Sequence, residues 1–256
     1  ASMYILFMQP LITDIIFDLI YMCYHAPSIL IQDHLIAGPL GRQVSTFVDA
    51  AQSYCWSCNS LSHVSLAANR FVVIVLHRID FFTTSRTILV SVFQQILALS
   101  IAVAVHFALP CCSIEFSFSN FGYREVTLPG VPNYVFTYVT MPVKIGSATI
   151  PIVLYCSILI IAHAMTRRFK LHSPERRRRR HQELRFAAQF ASIALVYTFS
   201  SFSFTFLNTI YPAINSNSKW TNGIPVVLGL LNSASNAIVY LLNEAGFLNF
   251  EFVQVL

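Results

Sequence analysis

Polar side chains recur at three- and four-residue steps through residues 49–71 of this sequence. These residues, which can donate or accept hydrogen bonds, are Asp49, Gln52, Ser53, Asn59, Ser60, His63 and Arg70. Trp56 recurs at the same spacing. A helix gathers residues at this spacing onto one face. Because unpaired polar groups are costly in hydrocarbon, such a face is expected to contact other helices or a wet cavity. The stretch is therefore predicted to be the central helix of a bundle.

Two acidic residues, Asp14 and Asp18, lie four positions apart in an apolar stretch near the start of the sequence. Acidic groups inside a membrane are rare and usually point inward to a partner. Asp18 lies deeper and is predicted to be functional. For Asp14 two alternatives stay open, an inward position beside Asp18 or a position near the cytoplasmic interface.

Lys144 is the only lysine or arginine inside the apolar stretches that are predicted to be helical. Pro142 and Pro151 lie in the same stretch, and proline bends a membrane helix and opens room beside a cavity. Lys144 either extends to the outer interface or faces the cavity, where it would bind an anionic or carbonyl-bearing ligand.

Catalytic and metal chemistry is not indicated by the thiols and imidazoles. The six cysteines show no metal-type pairing with histidine, and Cys55-x-x-Cys58 is predicted to be packing, since thiols in apolar surroundings stay protonated and inert. Cys111 and Cys112, at a predicted helix end, are the better disulfide candidates. The histidines on separate predicted helices lack His-x-x-x-His spacing: His63, His106 and His163. No enzyme activity, metal or cofactor is predicted.

Composition indicates an all-α, polytopic membrane bundle. The 256 residues are 55% hydrophobic and 11% charged, whereas soluble domains are about 25% charged. Windows of roughly 20 residues predict one bundle domain over 1–256 with six spans, near 4–24, 46–68, 88–109, 136–164, 187–213 and 222–242.

Basic residues alternate between the loops. Twelve lie in the second and fourth loops, which include Arg70 and the run Arg176 to Arg180, and three lie in the other loops. Cytoplasmic loops carry such an excess, so both ends of the chain as given are predicted to be cytoplasmic. The run would also attract anionic lipid. The net charge of +5 forms no basic face, so the expected contact is the lipid bilayer and not nucleic acid.

Two motifs resemble rhodopsin-like G-protein-coupled receptors. Asn232-Ser233-x-x-Asn236-Ala237-x-x-Tyr240 resembles their seventh-helix motif, with alanine in place of proline. The sequence Asn69-Arg70-Phe71 resembles the arginine motif that closes their third helix, and Asp18 and Pro27 precede it at separations that fit the second helix.

Within this fold, the sequence resembles the nematode serpentine chemoreceptors, class x or class v. They share the asparagine before the arginine, the Asn236-Ala237 pair and a Phe-rich sixth helix. The resemblance implies that the six spans are helices two to seven and that the first helix is absent. Gln52, where amine receptors have aspartate, argues against a monoamine ligand, and Leu230, at the retinal-lysine position, argues against a photoreceptor.

The resemblance implies a chemosensory receptor in the plasma membrane, for example that of a sensory cilium. A small molecule would enter from outside and shift the bundle between two packings, which a heterotrimeric G protein reads. The candidate ligand contacts are Asp49, Gln52, Trp56, Lys144 and Phe206. The candidate hydrogen-bonded switch cluster is Asp18, Asn59, Asn232, Ser233, Asn236 and Tyr240. The candidate G-protein-facing residues are Asn69, Arg70, Glu183 and Arg185, with Glu183 as the counter-charge of Arg70.

Two alternatives to a working receptor stay open. A six-helix transporter or channel would carry an inverted repeat or glycine-interrupted half helices near the midplane, and the sequence, with eight glycines, shows neither. A truncated fragment of a receptor would be retained inside the cell and would not signal.

Overall fold

The computed structural model describes residues 2–109, 111–118, 121–126, 128, 130–168, 188–189, 191–203, 224 and 226–238. Four of the predicted site residues lie outside these ranges: Glu183, Arg185, Phe206 and Tyr240.

The first span is a continuous helical rod with a wider turn in its outer part. It consists of α1 (Ser2–Ile20), a π-helical turn (Tyr21–His25) and α2 (Ala26–Ile31). Pro27 has no backbone N–H to donate, and the hydrogen-bonding pattern widens in the turn directly before it. The rod ends at Gln32, which has a left-handed backbone with φ 55°.

The helix α3 (Pro39–Ile74) is the centre of the bundle, as predicted. It packs against α1, α4 (Thr84–Val103) and α5 (Met141–Arg168). Its 36 residues span about 54 Å at 1.5 Å per residue, so it extends beyond a hydrocarbon core of about 30 Å. Most of its buried side chains are polar or small, which is why it must be surrounded by other helices.

Both α4 and α5 have π-helical turns at the ends that are predicted to be extracellular. Residues Ala104–Ala108 continue α4, and Val135–Thr140 lead into α5. Two shorter apolar helices follow, α6 (Ala191–Ser203) and α7 (Val226–Ile238).

A small β-hairpin between α4 and α5 was not predicted. Strand β1 (Ile114–Ser117) pairs antiparallel with β2 (Gly122–Glu125), and Phe116 lies opposite Tyr123. Cys111 and Cys112, the predicted disulfide candidates, are joined to each other just before β1.

In the part of the chain described, three helical stretches are long and apolar enough to cross a membrane. They are Ile5–Ile31, Thr84–Ala108 and Val135–Ile161. The helical membrane bundle is therefore confirmed, while the count of six crossings stays a prediction. Many large apolar side chains on α1, α4 and α5 are exposed, as expected for surfaces that face lipid.

An apolar core closes the end of the bundle that is predicted to be cytoplasmic. It joins the start of α1, the second half of α3, the second half of α5 and the start of α6, through Leu6, Phe7, Leu66, Ala67, Tyr155, Ile158, Ile193 and Ala194. Hydrophobic packing thus holds this end, while the polar side chains gather farther along the helices.

The apolar core predicts that two isoleucines of α5 contribute unequally to the stability of the folded chain. Ile158 is 0% exposed and Ile160 is 68% exposed. Ile158→Ala should destabilise the folded chain by about 2–5 kcal/mol, because it leaves a cavity in the core. Ile160→Ala, the matched control, should cost less than about 1 kcal/mol. Thermal unfolding in lipid nanodiscs measures both, and equal losses would contradict this assignment of the core.

Candidate functional site

Asp14 is the centre of a hydrogen-bonded cluster between three helices. Its side chain is 3% exposed. The Asn59 amide donates to Oδ1 at 2.5 Å, and the Asn236 amide donates to Oδ2 at 2.9 Å. The Thr13 hydroxyl in turn donates to Asn59 Oδ1 at 2.7 Å. One carboxyl group therefore joins α1, α3 and α7, and both of its oxygens are satisfied.

Asp18 lies one turn farther along α1 and has a more peripheral position than predicted. The Ser233 hydroxyl donates to its Oδ2 at 2.8 Å. Asp18 is only partly buried, whereas Asp14 is buried and holds two amides. Of the two alternatives for Asp14, the structure places it inward. The role of Asp18 in a switch stays a prediction.

The other predicted switch residues lie around this pair. Asn59, Ser233 and Asn236 make the hydrogen bonds given above. Asn232 is buried and lines the neighbouring cavity. The spacing of polar residues on α3 and α7 thus indicated which side chains lie near the acids of α1. The two amides bind Asp14, which lies one turn before Asp18.

A cavity of about 150 Å³ lies directly beside the cluster. Its walls come from α1, α3, the hairpin, α5, α6 and α7, and they include three of the predicted ligand contacts, Gln52, Trp56 and Lys144. Asp14 and Asn59 also line it, so the cavity and the Asp14 cluster share two residues. Asn232 of α7 lines it as well. Four further aromatic residues line it, Phe17, Tyr21, Tyr123 and Tyr197, together with the hydroxyl residues Ser53, Thr140, Ser200 and Ser201.

Lys144 lies in the wall of this cavity. The residue is 7% exposed, and its ammonium nitrogen lies 5.9 Å from the centroid of the Trp56 ring. A cation at this distance from an indole face is attracted by the ring quadrupole. Of the two alternatives left open for Lys144, the structure therefore favours the inward one.

Asp49, a predicted ligand contact, lies outside the cavity lining. Its Oδ2 accepts a hydrogen bond from the Phe116 backbone N–H at 3.4 Å. Asp49 therefore contacts strand β1 from α3, and its role as a ligand contact stays a prediction. Periodicity placed it on the right face of α3, but the hairpin covers that face at this level.

The hairpin forms part of the cavity wall through Ile114 and Tyr123. The Tyr123 hydroxyl and His25 Nε2 are hydrogen-bonded at 2.9 Å, and the His25 ring stacks on Phe116 with centroids 4.1 Å apart. Burial raises the pKa of Tyr123 well above its ordinary value, so the phenol stays neutral. Sequence analysis missed this wall, although the closely spaced aromatic residues of this loop were a usable signal.

Tyr197 on α6 is a second residue that sequence analysis missed. Its hydroxyl is hydrogen-bonded to Ser60 on α3 and, at 3.3 Å, to Ser147 on α5. The His63 ring lies 4.5 Å from the Tyr197 ring, centroid to centroid. Because it also lines the cavity, Tyr197 connects α6 to the polar face of α3.

Toward the predicted cytoplasmic end, Asn69 is buried and Arg70 is partly buried. The other two predicted G-protein-facing residues are outside the described ranges.

Within the described residues, no group of three or more histidine, cysteine or acidic side chains is arranged to hold a metal ion. Cys55 and Cys58 are buried free thiols, and the Gln9 amide donates to Cys58 Sγ at 3.2 Å. This pair is packed between helices, in keeping with the packing interpretation.

Comparison with known families gives one match over nearly the whole chain. The family model described as "Serpentine type 7TM GPCR chemoreceptor Srx" matches residues 2–239. No curated protein matches the chain. The match confirms the predicted serpentine chemoreceptor family, while the absent first helix stays a prediction.

The cluster predicts that the two acids of α1 contribute unequally to stability. Asp14→Ala leaves two buried amides without an acceptor and should cost about 2–6 kcal/mol, at about 1–3 kcal/mol per unsatisfied group. Asp18→Ala removes one partly exposed hydrogen bond and should cost less than half as much. Thermal unfolding of both variants in nanodiscs gives the comparison, and a larger loss for Asp18→Ala would contradict the placement of Asp14 at the centre.

Proposed function

Because the chain belongs to the serpentine 7TM GPCR chemoreceptor family Srx, we propose that it binds a small extracellular molecule and relays a helix rearrangement to a heterotrimeric G protein. The family is a receptor family and not an enzyme class, and its members are multi-pass integral membrane proteins that act in signal transduction in nematodes. The observation that carries the proposal for this chain is the cavity that shares Asp14 and Asn59 with the Asp14 cluster.

The cavity has the features of a small-molecule site. Such sites are concave and largely apolar, with a few placed polar groups. Here the aromatic lining would contact the body of the ligand, and Gln52, Trp56 and Lys144 would orient it. Phe206 is retained as a candidate contact because it follows the cavity-lining part of α6 in sequence.

A ligand in this cavity can act on the helices through residues that it shares with the polar cluster. A ligand shifts a conformational equilibrium only if it contacts the two states differently. Asn59 bonds to Asp14, and Tyr197 bonds to Ser60 and Ser147, so displacement of either side chain changes how α3 packs against its neighbours. The switch cluster also includes Asp18, Ser233, Asn236 and Tyr240.

The rearrangement would be read at the predicted cytoplasmic end. There Asn69 and Arg70 lie at the end of α3, and Glu183 and Arg185 precede α6 in sequence. We propose that Glu183 pairs with Arg70 at rest and that breaking this pair lets α6 move outward to admit the G protein. The basic loops support a cytoplasmic location of this face and of both ends of the chain as given. We propose that the receptor acts in the plasma membrane, for example that of a sensory cilium.

The first test of ligand binding is a signalling assay. Cells that express the chain with a panel of heterotrimeric G proteins are exposed to a library of small molecules, and G-protein dissociation is recorded. Trp56→Ala should weaken the potency of an activating compound about tenfold or more, since it removes the largest aromatic wall of the cavity. Phe47→Ala, on the exposed face of the same helix, is the matched control. Equal effects of the two variants would overturn the assignment of this cavity.

The second test concerns the resting state. Glu183→Gln removes the charge that would hold Arg70 and should raise basal G-protein activation severalfold. Glu115→Gln makes the same chemical change at an exposed position of the hairpin and should leave the basal signal unchanged. Surface staining of each variant corrects for expression. A basal signal that does not respond to Glu183→Gln would count against the ion pair.

A further inference from the structure

The charged groups in the cavity wall already have partners inside the protein. The Asp14 carboxyl group lines the cavity, but the Asn59 and Asn236 amides donate to its two oxygens. Lys144 also interacts within the chain, in part with the Trp56 ring. One acid and one base thus face the same space, and each is engaged. The charges of the wall therefore do not by themselves define the ligand.

Gln52 on α3 differs from these two residues. It lines the same cavity and is 4% exposed. Neither its Oε1 nor its Nε2 has a hydrogen-bond partner among the described residues. Buried polar groups are nearly always paired, because a buried donor or acceptor without a partner destabilises the fold. A ligand that faces Gln52 satisfies it only by offering an acceptor to Nε2 and a donor to Oε1.

A second acceptor without a partner lies on the α7 side of the cavity. Asn232 lines the cavity and is 7% exposed, and its Oδ1 has no hydrogen-bond partner among the described residues. Gln52 and Asn232 together leave one donor atom and two acceptor atoms open. A primary carboxamide has the complementary set, a carbonyl acceptor and two N–H donors. A ketone, an ester or a carboxylate offers acceptors alone, so it leaves both side-chain oxygens unpaired.

The rest of the lining restricts the body of the ligand. The walls present the rings of Phe17, Tyr21 and Tyr123. A volume of about 150 Å³ matches that of an engineered apolar cavity that binds benzene. The space therefore suits one aromatic ring, or a short alkyl chain, that carries a single compact polar group.

We infer that the ligand of this receptor is a small primary amide, which pairs with the Gln52 side chain through its carbonyl and one N–H and directs its second N–H toward Asn232 Oδ1. This inference rests on the proposed ligand-binding function and names the ligand class. Selectivity then arises from hydrogen bonds that the protein does not make internally. An analogue that lacks the complementary group leaves buried polar atoms unpaired and is rejected for that reason.

The test uses benzamide and acetophenone, which have nearly the same shape and are both uncharged. They differ in one group, because acetophenone has a methyl group in place of the amide nitrogen. The full chain in lipid nanodiscs is titrated with each compound, and binding is followed by ligand-observed NMR. Benzamide should bind about tenfold or more tightly than acetophenone, because acetophenone leaves Gln52 Oε1 unpaired.

Variants assign the effect to the two side chains. Gln52→Met removes the amide from a side chain of similar length, so it should weaken benzamide binding about tenfold or more and leave acetophenone binding unchanged or tighter. Because an apolar group then replaces an unpaired buried amide, the same variant should raise the melting temperature of the unliganded chain. Asn232→Leu should weaken benzamide binding severalfold and leave acetophenone binding unchanged.

Gln94 on α4 provides the matched control. It is 5% exposed, but its amide donates to the Leu61 carbonyl and the Ser65 hydroxyl. It lies outside the described lining of the cavity. Gln94→Met should therefore lower the melting temperature and leave the ratio of benzamide to acetophenone affinity unchanged. Since the two glutamine substitutions are chemically identical, opposite shifts in melting temperature distinguish an unpaired glutamine from a paired one.

Equal affinities of the wild-type chain for benzamide and acetophenone would overturn the inference, and they are expected if water alone satisfies Gln52. A preference for benzamide that Gln52→Met retains would overturn it too, as would a melting temperature that this variant lowers as far as Gln94→Met does. Unchanged benzamide binding by Asn232→Leu would overturn the assignment of the second N–H.

The receptor proposal survives these outcomes, because they concern the chemical group that is recognised and not the cavity. If neither compound binds, the inference also falls, and the G-protein assay described above decides the receptor proposal independently.

Discussion

Polar side chains on the central helix must find their partners inside the bundle, and the structure depends on this constraint. A membrane offers no water to an unpaired amide or carboxyl group, so each group that faces lipid would cost free energy. Several groups on the polar face of α3 meet this requirement. Asn59 pairs with Asp14, Ser60 pairs with Tyr197, and the Gln94 amide of α4 donates to the Leu61 carbonyl at 2.9 Å. These contacts hold the surrounding helices around one axis.

The same constraint explains how the bundle changes along that axis. At the predicted cytoplasmic end, apolar packing around Ile158 needs no directional contacts. In the middle of the bundle, the Asp14 cluster helps to specify which helices meet, because hydrogen bonds are directional. Toward the outer end, the polar face of α3 opens on a cavity in which Gln52 has no protein partner among the described residues.

The hairpin gives the cavity its outer wall, and it depends on side chains from two helices. Asp49 accepts from the Phe116 N–H, while His25 contacts both Phe116 and Tyr123. A two-stranded hairpin is marginal by itself in water, so this one is stabilised by the bundle on which it lies. Residues that anchor a loop and residues that face a ligand are both polar and both lie on the inner face. Helical period alone therefore does not distinguish Asp49 from the residues that line the cavity.

The sequence by itself determined the membrane class, the receptor family, the central position of α3 and most members of the polar cluster, because hydropathy, loop charge and helical period are properties of consecutive residues. Only the tertiary structure decided that Asp14 holds the centre instead of Asp18, that Asp49 contacts the hairpin, and that Tyr197 and Tyr123 reach the site. Helical spacing specifies a face but not the level at which two helices meet, and one turn of displacement exchanges one acid for another. The level is set by packing between segments far apart in the chain, such as Asp14 and Asn236, which local patterns do not encode.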